Sequence, residues 1–412
     1  MNLSYFISKR ITREQREGFS STIHKIAIVS IGIGLAAAIV SFLIMKGFQE
    51  TVRNKIYGFS GHLTVTRFTM NNSTEEQPVN YHLDIYDHPK EYPFIRHVQE
   101  YAHKTGLIKT DGEVLGVVLK GVGKSFDTAS FAPNILEGRF VHFPDSGYAN
   151  EIVISKTIAA KLKAKLNDKI IVHFFQNPPR FRRLTVVGIY ETNLSEYFDS
   201  RVIIGDLRMI QRLNGWADEY AGGVEIFVRD PNNIKQAQAT LEEMMDQDLE
   251  KNFDKNVESV SDKFINVFEW LNLLSRQVNI LLVIILTVIC VNMISIVLIL
   301  VMERTQMIGM LKALGAGNKL IRTVFIYQGI SLIVKGLLLG NFIGLGLCYL
   351  QYRFKLIALN PHDYYMSFVP ISWHWDLVVI LNLLVLLIVT VVLLLPTMVI
   401  SKINPIKAIR FD

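Results

Sequence analysis

Two cysteines among 412 residues exclude a disulfide framework. Cys290 and Cys348 both lie inside apolar runs, where they read as small packing residues with no metal-ligand spacing. Ten histidines are present, yet none falls in an H-E-x-x-H or comparable pattern. A G-x-S-x-G nucleophile elbow is also missing. Gly121-Val122-Gly123-Lys124-Ser125 matches only the end of a phosphate-binding loop, because Val118 occupies the place of its first glycine. Without that glycine the amides cannot form an anion nest, so these residues read as an ordinary loop. Internal repeats and Pro/Gly/Ser-rich linkers are likewise absent. No catalytic residue and no metal site is expected.

What the chain has in quantity is apolar surface. Half of its residues are hydrophobic and its mean hydropathy is +0.28, above the usual soluble range. Four runs, about 26–46, 278–302, 323–350 and 376–397, are long enough to cross a bilayer. The first begins too late for a signal peptide and lacks a cleavage site, so it reads as an anchor. The net charge of +6 is unevenly spread. Lys9, Arg10, Arg13, Arg16 and Lys25 precede the first run, and Lys402, Lys407 and Arg410 follow the fourth. Arg304, Lys312, Lys319 and Arg322 lie between the second and third, whereas 351–375 has only Arg353 and Lys355. By the positive-inside rule 1–25, 303–322 and 398–412 are cytoplasmic, and 47–277 and 351–375 face outward. The positive charge thus sets topology and does not indicate nucleic acid.

The outward region reads as mixed α/β. Strand-like runs are 62–66, 115–120, 151–154, 169–175, 184–190, 201–204 and 223–228. Residues 155–166 read as a helix capped by Ser155, 234–252 as another, and 71–78 as a polar loop. Phe48, Val52, Ile56 and Phe59 keep one apolar face beyond the first run. Val267, Leu271, Leu274 and Val278, with Phe264 and Phe268, do the same before the second, so the two extensions should pack as a stalk. Gly336, Gly340 and Gly344, and Ser30, Gly34 and Ala38, form small-residue stripes for close helix packing. Lys335 lies midway along the third run, and either a functional role or snorkelling accounts for it. His362 and His374 fall in a polar outward loop and read as solvated. Between two strands, Pro178 and Pro179 lack amide donors, so 174–184 reads as a rigid projecting turn carrying Arg180, Phe181, Arg182 and Arg183.

The most specific stretch is Glu303-Arg304-Thr305-Gln306-Met307-Ile308-Gly309-Met310-Leu311-Lys312-Ala313-Leu314-Gly315. Ile308 with Leu311, and Met307 with Leu314, recur at helical spacing, and Gly315-Ala316-Gly317 stops the helix. E-R-x-x-x-I-G-x-L-K-A-L-G-A, followed by Ile321, Gln328 and Gly329, resembles the coupling helix of ABC transporter permeases of the macrolide-exporter and lipoprotein-release type. M-K-G-F-Q-E-T-V-R-N-K-I-Y-G-F-S-G-H-L-T-V, from Met45, resembles the first-span exit of lipoprotein-releasing permeases of the LolC/LolE type. The loop 359–370, with Tyr364 and Tyr365 and a closing V-P, is similar to theirs and unlike that of macrolide exporters. N-P-I-K-A-I-R at 404–410 is similar to the usual C-terminus of the family.

This resemblance implies a four-span α-helical permease of the type VII (mechanotransmission) kind, with an α/β periplasmic domain between helices one and two. Two lobes are implied, 49–110 with about 225–265, and 111–224. The implied ATPase-coupling residues are Glu303, Arg304, Met307, Ile308, Gly309, Leu311, Lys312, Leu314 and Gly315. Met45, Phe48, Val52, Ile56, Phe264, Phe268 and Leu271 would line a lipoprotein cleft or stalk. Pro178, Pro179, Arg180, Phe181, Arg182 and Arg183 would dock a periplasmic carrier, although the hairpin is shorter here than in the family's carrier-binding subunit. Lys335 has no role in the family, which favours an apolar or small residue there. The implied partners are an ABC ATPase dimer holding ATP and Mg, a second permease copy or paralogue, lipoprotein cargo and the carrier. The implied setting is the bacterial inner membrane. The alternative is a macrolide-exporter or cell-division type permease acting on drugs, peptides or a periplasmic hydrolase.

The charge asymmetry gives a direct topology test. Cysteines introduced at Ser73 or Asn193 should react with an impermeant thiol reagent in outer-membrane-permeabilised cells, and one at Asn318 should not. Labelling at Asn318 would reverse the orientation.

Overall fold

The computed structural model of the chain describes residues 19–69, 75–109, 114–194, 198–247, 252 and 254–398. The basic N-terminal residues up to Arg16, Ser73 and the 404–410 motif lie outside the described residues. The rest divides into two compact units. One is helical, made of 19–50, 270–358 and 368–398; the other, of 51–269 and 359–367, is built on a sheet.

The first element among the described residues is α1, Phe19–Ser60, unbroken for 42 residues. At 1.5 Å per residue that is roughly 60 Å, about twice a bilayer's hydrocarbon core. The sheet unit then follows as β1 (Leu63–Arg67), β2 (Ile95–Lys109), β3 (Val114–Val122), β4 (Ile135–Gly138) and β5 (Glu151–Ser155). After α2 (Lys156–Leu162) come β6 (Lys169–Phe174), β7 (Arg180–Tyr190) and β8 (Val202–Asp206). Then α3 (Leu207–Asn214), β9 (Gly223–Val228), α4 (Ile234–Gln247) and β10 (Lys255–Ser259) complete it. The helical unit continues with α5 (Ile265–Glu303), α6 (Thr305–Ala313), α7 (Asn318–Phe354) and α8 (Trp375–Val392).

These ten strands join one sheet in the order β10-β1-β9-β2-β3-β8-β5-β7-β4, with β6 paired to both β2 and β7, and Val79–Asn80 pairs with Tyr220–Ala221 as a separate two-stranded sheet. Only β3–β8 and β5–β7 are parallel. The expected lobe boundary falls between β2 and β3, yet those strands pair continuously from Tyr101–Val122 to Lys109–Val114. One sheet therefore runs through both expected lobes. Three strands, β2, β4 and β10, were not expected from the sequence. The longest, β2, buries Gln99, Glu100 and Lys104, and so hides the apolar alternation that marks a strand.

Helix α2 is capped as expected, with the Ser155 hydroxyl accepting from the Ile158 amide at 3.0 Å. It ends early because Lys163 turns left-handed, at φ 52°. The core beneath α2 and α3 is made of apolar residues such as Ile152, Ile154, Val172, Leu184, Ile203 and Met209.

A buried ion pair links two strands of this unit. Lys120 of β3 and Glu225 of β9 are each about 1% exposed, and Nζ lies 2.6 Å from the Glu225 carboxylate. The ammonium also donates to the Phe59 carbonyl in the last turn of α1, and it lies 4.8 Å from the Phe59 ring centre. Gln99 of β2 donates to the other Glu225 oxygen at 2.7 Å and accepts from the Asp127 amide. Burial lowers the Lys120 pKa, and the Glu225 charge opposes that shift.

In the helical unit, the α7 glycines meet α1. A Cβ at Gly340 would lie 2.8 Å from the Gly32 carbonyl oxygen, and one at Gly336 2.7 Å from Ile31. The expected α1 stripe faces α5 instead. Gly34 abuts Ile289, and the Asn292 amide donates to Ser30 at 2.8 Å. Asn341 of α7 and Asn382 of α8 exchange amide hydrogen bonds at 2.7 and 3.0 Å. Lys335 is on the exposed side of α7.

Breaking the ionic centre from one side leaves a buried unpaired charge. Lys120→Met should lower stability by about 3–5 kcal/mol, whereas Lys120→Met with Glu225→Leu should recover most of that loss. Thermal unfolding of the detergent-solubilised protein decides this, and a double variant no more stable than the single one would contradict it.

Candidate coupling, stalk and docking surfaces

Between α5 and α7 the backbone leaves helical geometry at Arg304 (φ −101°, ψ 18°) and restarts as α6. The helix ends at Gly315, whose φ of 89° suits glycine alone among common residues. Ile308 is fully buried, in a cluster with Val301, Ile321 and Phe325, and Gly309 is buried beside it. Met307 and Leu311 pack half-buried against the same cluster. These four were expected at a docking surface, but the structure turns them toward the chain's own bundle. The outward side carries Gln306, Met310 and Leu314, four residues apart in succession, and Met302 at the end of α5 is exposed as well. Leu314 is 85% exposed and Met310 54%. Glu303 and Gly315 are exposed as well, and Arg304 and Lys312 are half-buried. Met302, Gln306 and Met310 were missed as surface groups. In a nine-residue helix apolar on two sides, spacing alone does not say which side the bundle takes.

The expected stalk residues on α1 and α5 are placed as follows. In the helical unit, Met45, Phe48 and Leu271 are buried, and Phe48 meets Trp270 edge-on at 5.4 Å. Gln49 donates to the Leu271 carbonyl at 3.2 Å and to Ser275. In the sheet unit, Val52, Ile56 and Phe268 are buried, Tyr57 lies 5.6 Å from Phe268, and half-buried Phe264 packs on Phe198. The expected cleft residues are thus covered by the chain itself, Phe264 in part. The apolar side chains left exposed are others: Ile26, Val29 and Ile33 on α1, and Ile280, Val283, Ile284, Val288 and Val291 on α5.

His374 is not simply solvated. Its Nε2 lies 2.6 Å from the Glu50 carboxylate, which also accepts from the Ser372 hydroxyl. A Cβ at Gly47 would fall 2.7 Å from the Pro370 carbonyl, so glycine there is what lets this loop approach α1. No sequence signal marked the contact beyond the G-F-Q wording. In the sheet unit, Lys55 donates to the carbonyls of Thr192 at 2.7 Å and Tyr365 at 2.8 Å, which ties down the 359–367 loop.

The β6–β7 turn is less projecting than expected. Gln176 donates to the Leu213 carbonyl at 3.1 Å, and the Arg180 guanidinium to that of Arg212 at 3.2 Å, fastening the turn to the end of α3. A cation at a helix C-terminus is favourably placed. Arg182 is half-buried and reaches only the Phe181 carbonyl. Pro178, Pro179 and Arg183 are exposed, and Phe175 and Phe181 are each 63% exposed. The outward features are therefore two phenylalanines flanked by arginine.

The phosphate-loop-like residues do not form a nest. Gly121 and Val122 end β3, Lys124 pairs with Asp145 at 2.9 Å, and Ser125 donates to Glu100. No group of three or more metal-ligating side chains is clustered among the described residues. Four helices, Thr22–Ser60, Ile265–Glu303, Asn318–Phe354 and Trp375–Thr397, are long and apolar enough to cross a membrane.

Known proteins match this arrangement along the whole chain. The MacB-like periplasmic core domain matches residues 26–244, and the FtsX-like permease C-terminal domain matches 279–405. The lipoprotein-releasing system transmembrane protein LolC of Neisseria meningitidis serogroup B is 24% identical over 431 residues, covering 100% of both chains. The lipoprotein-releasing system transmembrane protein LolE of Haemophilus influenzae is 23% identical over 391 residues, covering 91% of each. The macrolide export ATP-binding/permease protein MacB of Bdellovibrio bacteriovorus is 26% identical over 341 residues, covering 78% of this chain and 51% of that protein. The chain is a multi-pass membrane permease subunit that belongs to the MacB/FtsX-like permease family, with full-length likeness to its LolC and LolE members.

Proposed function

We propose that this chain is a permease subunit of an ATP-driven transporter that extracts lipoproteins from the outer leaflet of the bacterial inner membrane and passes them to a periplasmic carrier. The observation that carries the reading is likeness to LolC over the entire length of both chains. In this reading ATP and Mg are held by a separate ATPase dimer, and a second permease copy or paralogue completes the membrane path. The outward apolar stripe of α6 docks in a groove of the ATPase. Because α1 and α5 are single unbroken helices of 42 and 39 residues, motion received beside α6 can be carried along them. Acyl chains enter against the exposed apolar residues of α1 and α5, since the stalk residues are covered.

Co-purification tests the reading as a whole. A lipoprotein and its carrier should accompany the complex, along with an ATPase. A membrane-fusion protein or a hydrolase in their place would move the chain to the macrolide-exporter or cell-division type.

The geometry of α6 sharpens the coupling test. Placing a carboxylate in a dry groove costs several kcal/mol. Leu314→Asp and Met310→Asp should therefore leave the protein inserted and folded while abolishing cargo-stimulated ATP turnover. Ile308→Asp should instead damage folding. Normal turnover in both outer variants would remove this face from the mechanism.

For the carrier, Phe181→Ala with Arg183→Glu should weaken capture in a pull-down while ATP turnover survives, and wild-type capture should fall with added salt. Equal recovery from variant and wild type at low salt would place docking elsewhere.

A further inference from the structure

The third apolar run is followed by a segment that does not suit water. The run 323–350 covers roughly 42 Å at 1.5 Å per residue, about the thickness of a bilayer with its headgroups. Helix α7 continues to Phe354, and Lys355 then turns left-handed, at φ 50°. Polar residues are the ordinary content of such a turn. Leu356 and Ile357 stand there instead, and Leu356 is 69% exposed. Tyr352 and Phe354, just before them, are exposed as well.

The left-handed turn brings this segment back to the last turn of α7. Gln351, buried in that turn, donates to the carbonyls of Ile357 and Val369 at 3.3 and 3.0 Å. Its side-chain oxygen accepts from the Ile357 amide at 3.0 Å. The Val369 amide donates to the Ile357 carbonyl at 3.1 Å, and the Lys355 amide to the Gln351 carbonyl at 2.8 Å. Ala358 then bridges to Phe368. A loop in water has no need of such a clamp, because water satisfies its amides and carbonyls. In lipid, irregular backbone is tolerated only where protein groups satisfy it. Apolar side chains held outward on a backbone tied off from behind meet both demands of a leaflet.

The neighbouring residues fit the same boundary. Trp373 stacks on Trp375 at 5.7 Å and meets Tyr352 edge-on at 6.1 Å. Tryptophan and tyrosine favour the headgroup level of a bilayer. Residues 351–358 contain two cations, Arg353 and Lys355, and no carboxylate. Both are exposed, and the Lys355 ammonium lies 4.2 Å from the Phe368 ring centre. Long basic side chains lay their stems on apolar surface and carry their charge to the phosphates. The surface is also continuous with the span. Leu338, Phe342, Tyr349 and Arg353 follow one side of α7 at helical spacing, and all four are exposed.

We propose that residues 352–357, with Trp375, form a wedge seated in the outward leaflet of a phospholipid bilayer. Leu356 and Ile357 enter the acyl region, and Arg353 and Lys355 meet lipid phosphate. Gln351 is the positioning residue, since it replaces the water that the Ile357 amide and carbonyl otherwise need. The outward end of the third span is thereby held at one depth, whatever the transporter carries.

Spin labelling of the full chain in phospholipid nanodiscs tests this, with Cys290→Ala and Cys348→Ala removing the native thiols. A nitroxide on Leu356→Cys should be relaxed more by oxygen than by a water-soluble nickel chelate, like one on Phe342→Cys and unlike one on Glu137→Cys. Relaxation mainly by nickel places the segment in water and overturns the proposal. Access to neither collider means that another protein covers it, which overturns the proposal equally. Gln351→Met deprives the Ile357 amide of its acceptor, so the preference for oxygen at position 356 should reverse. An unchanged preference in a folded Gln351→Met overturns the role given to the clamp. Should the cysteine-free chain misfold, Leu356→Trp in the chain with both cysteines reads the same depth. Brominated phospholipid should then quench a larger fraction of the fluorescence than in the wild type, and no increase overturns the wedge.

Discussion

The meeting of Lys120 with Glu225 and the Phe59 carbonyl decides where the first helix joins the sheet. A helix end leaves carbonyls unpaired, and in a dry setting each needs a donor. Lys120 supplies one from β3, across β9 and β2. Glu225 lies opposite Gln99 in the β9–β2 register, so the carboxylate is held from two strands at once. A one-residue slip of β9 would turn Glu225 to the other face and strand the ammonium. Such a pair adds little net stability over apolar packing. Its effect here is to reject other registers, and so to hold the end of α1 in one place.

The membrane-spanning helices solve a different problem with different residues. In lipid no hydrophobic drive brings one helix onto another, so close backbone approach and interhelical hydrogen bonds must do it. The α7 glycines meet α1, Gly34 meets α5, and Asn341 pairs with Asn382. Each α1 face thus has its own partner: Gly32 serves α7, and Ser30 and Gly34 serve α5.

What the sequence made legible follows from which forces are local. Long apolar runs declare spans, short runs rich in Val, Ile and Leu declare β3, β7 and β9, and Ser155 declares its own cap. The strand β2 was invisible because Gln99, Glu100 and Lys104 are buried with partners from distant strands or loops, and partners do not show in a local window. The Glu50–His374 contact was invisible for the same reason, since it joins residues far apart in the chain. The candidate surfaces were legible as segments, and Leu314, Phe181 and Arg183 were named among the residues that face outward, while Gln306 on α6 and Phe175 on the turn were not. On the β6–β7 turn the arginine row was plain, but Arg180 is drawn off to the carbonyls ending α3.

The segment 303–315, if it couples as proposed, shows why that limit holds for a helix with two duties. A helix that passes force between proteins must be bound on both sides. Ile308 and Gly309 are buried in its own bundle, which in the proposed function lets a push on the helix move the bundle and not merely bend a loop. Met310 and Leu314 leave apolar surface outward, where a partner can seat on it. Both duties call for apolar side chains, so composition cannot tell the inner side from the outer. Only the packing of Ile308 against Ile321 and Phe325 separates them, and it leaves the i, i+4 row through Met310 exposed, the side that the proposed function gives to the ATPase.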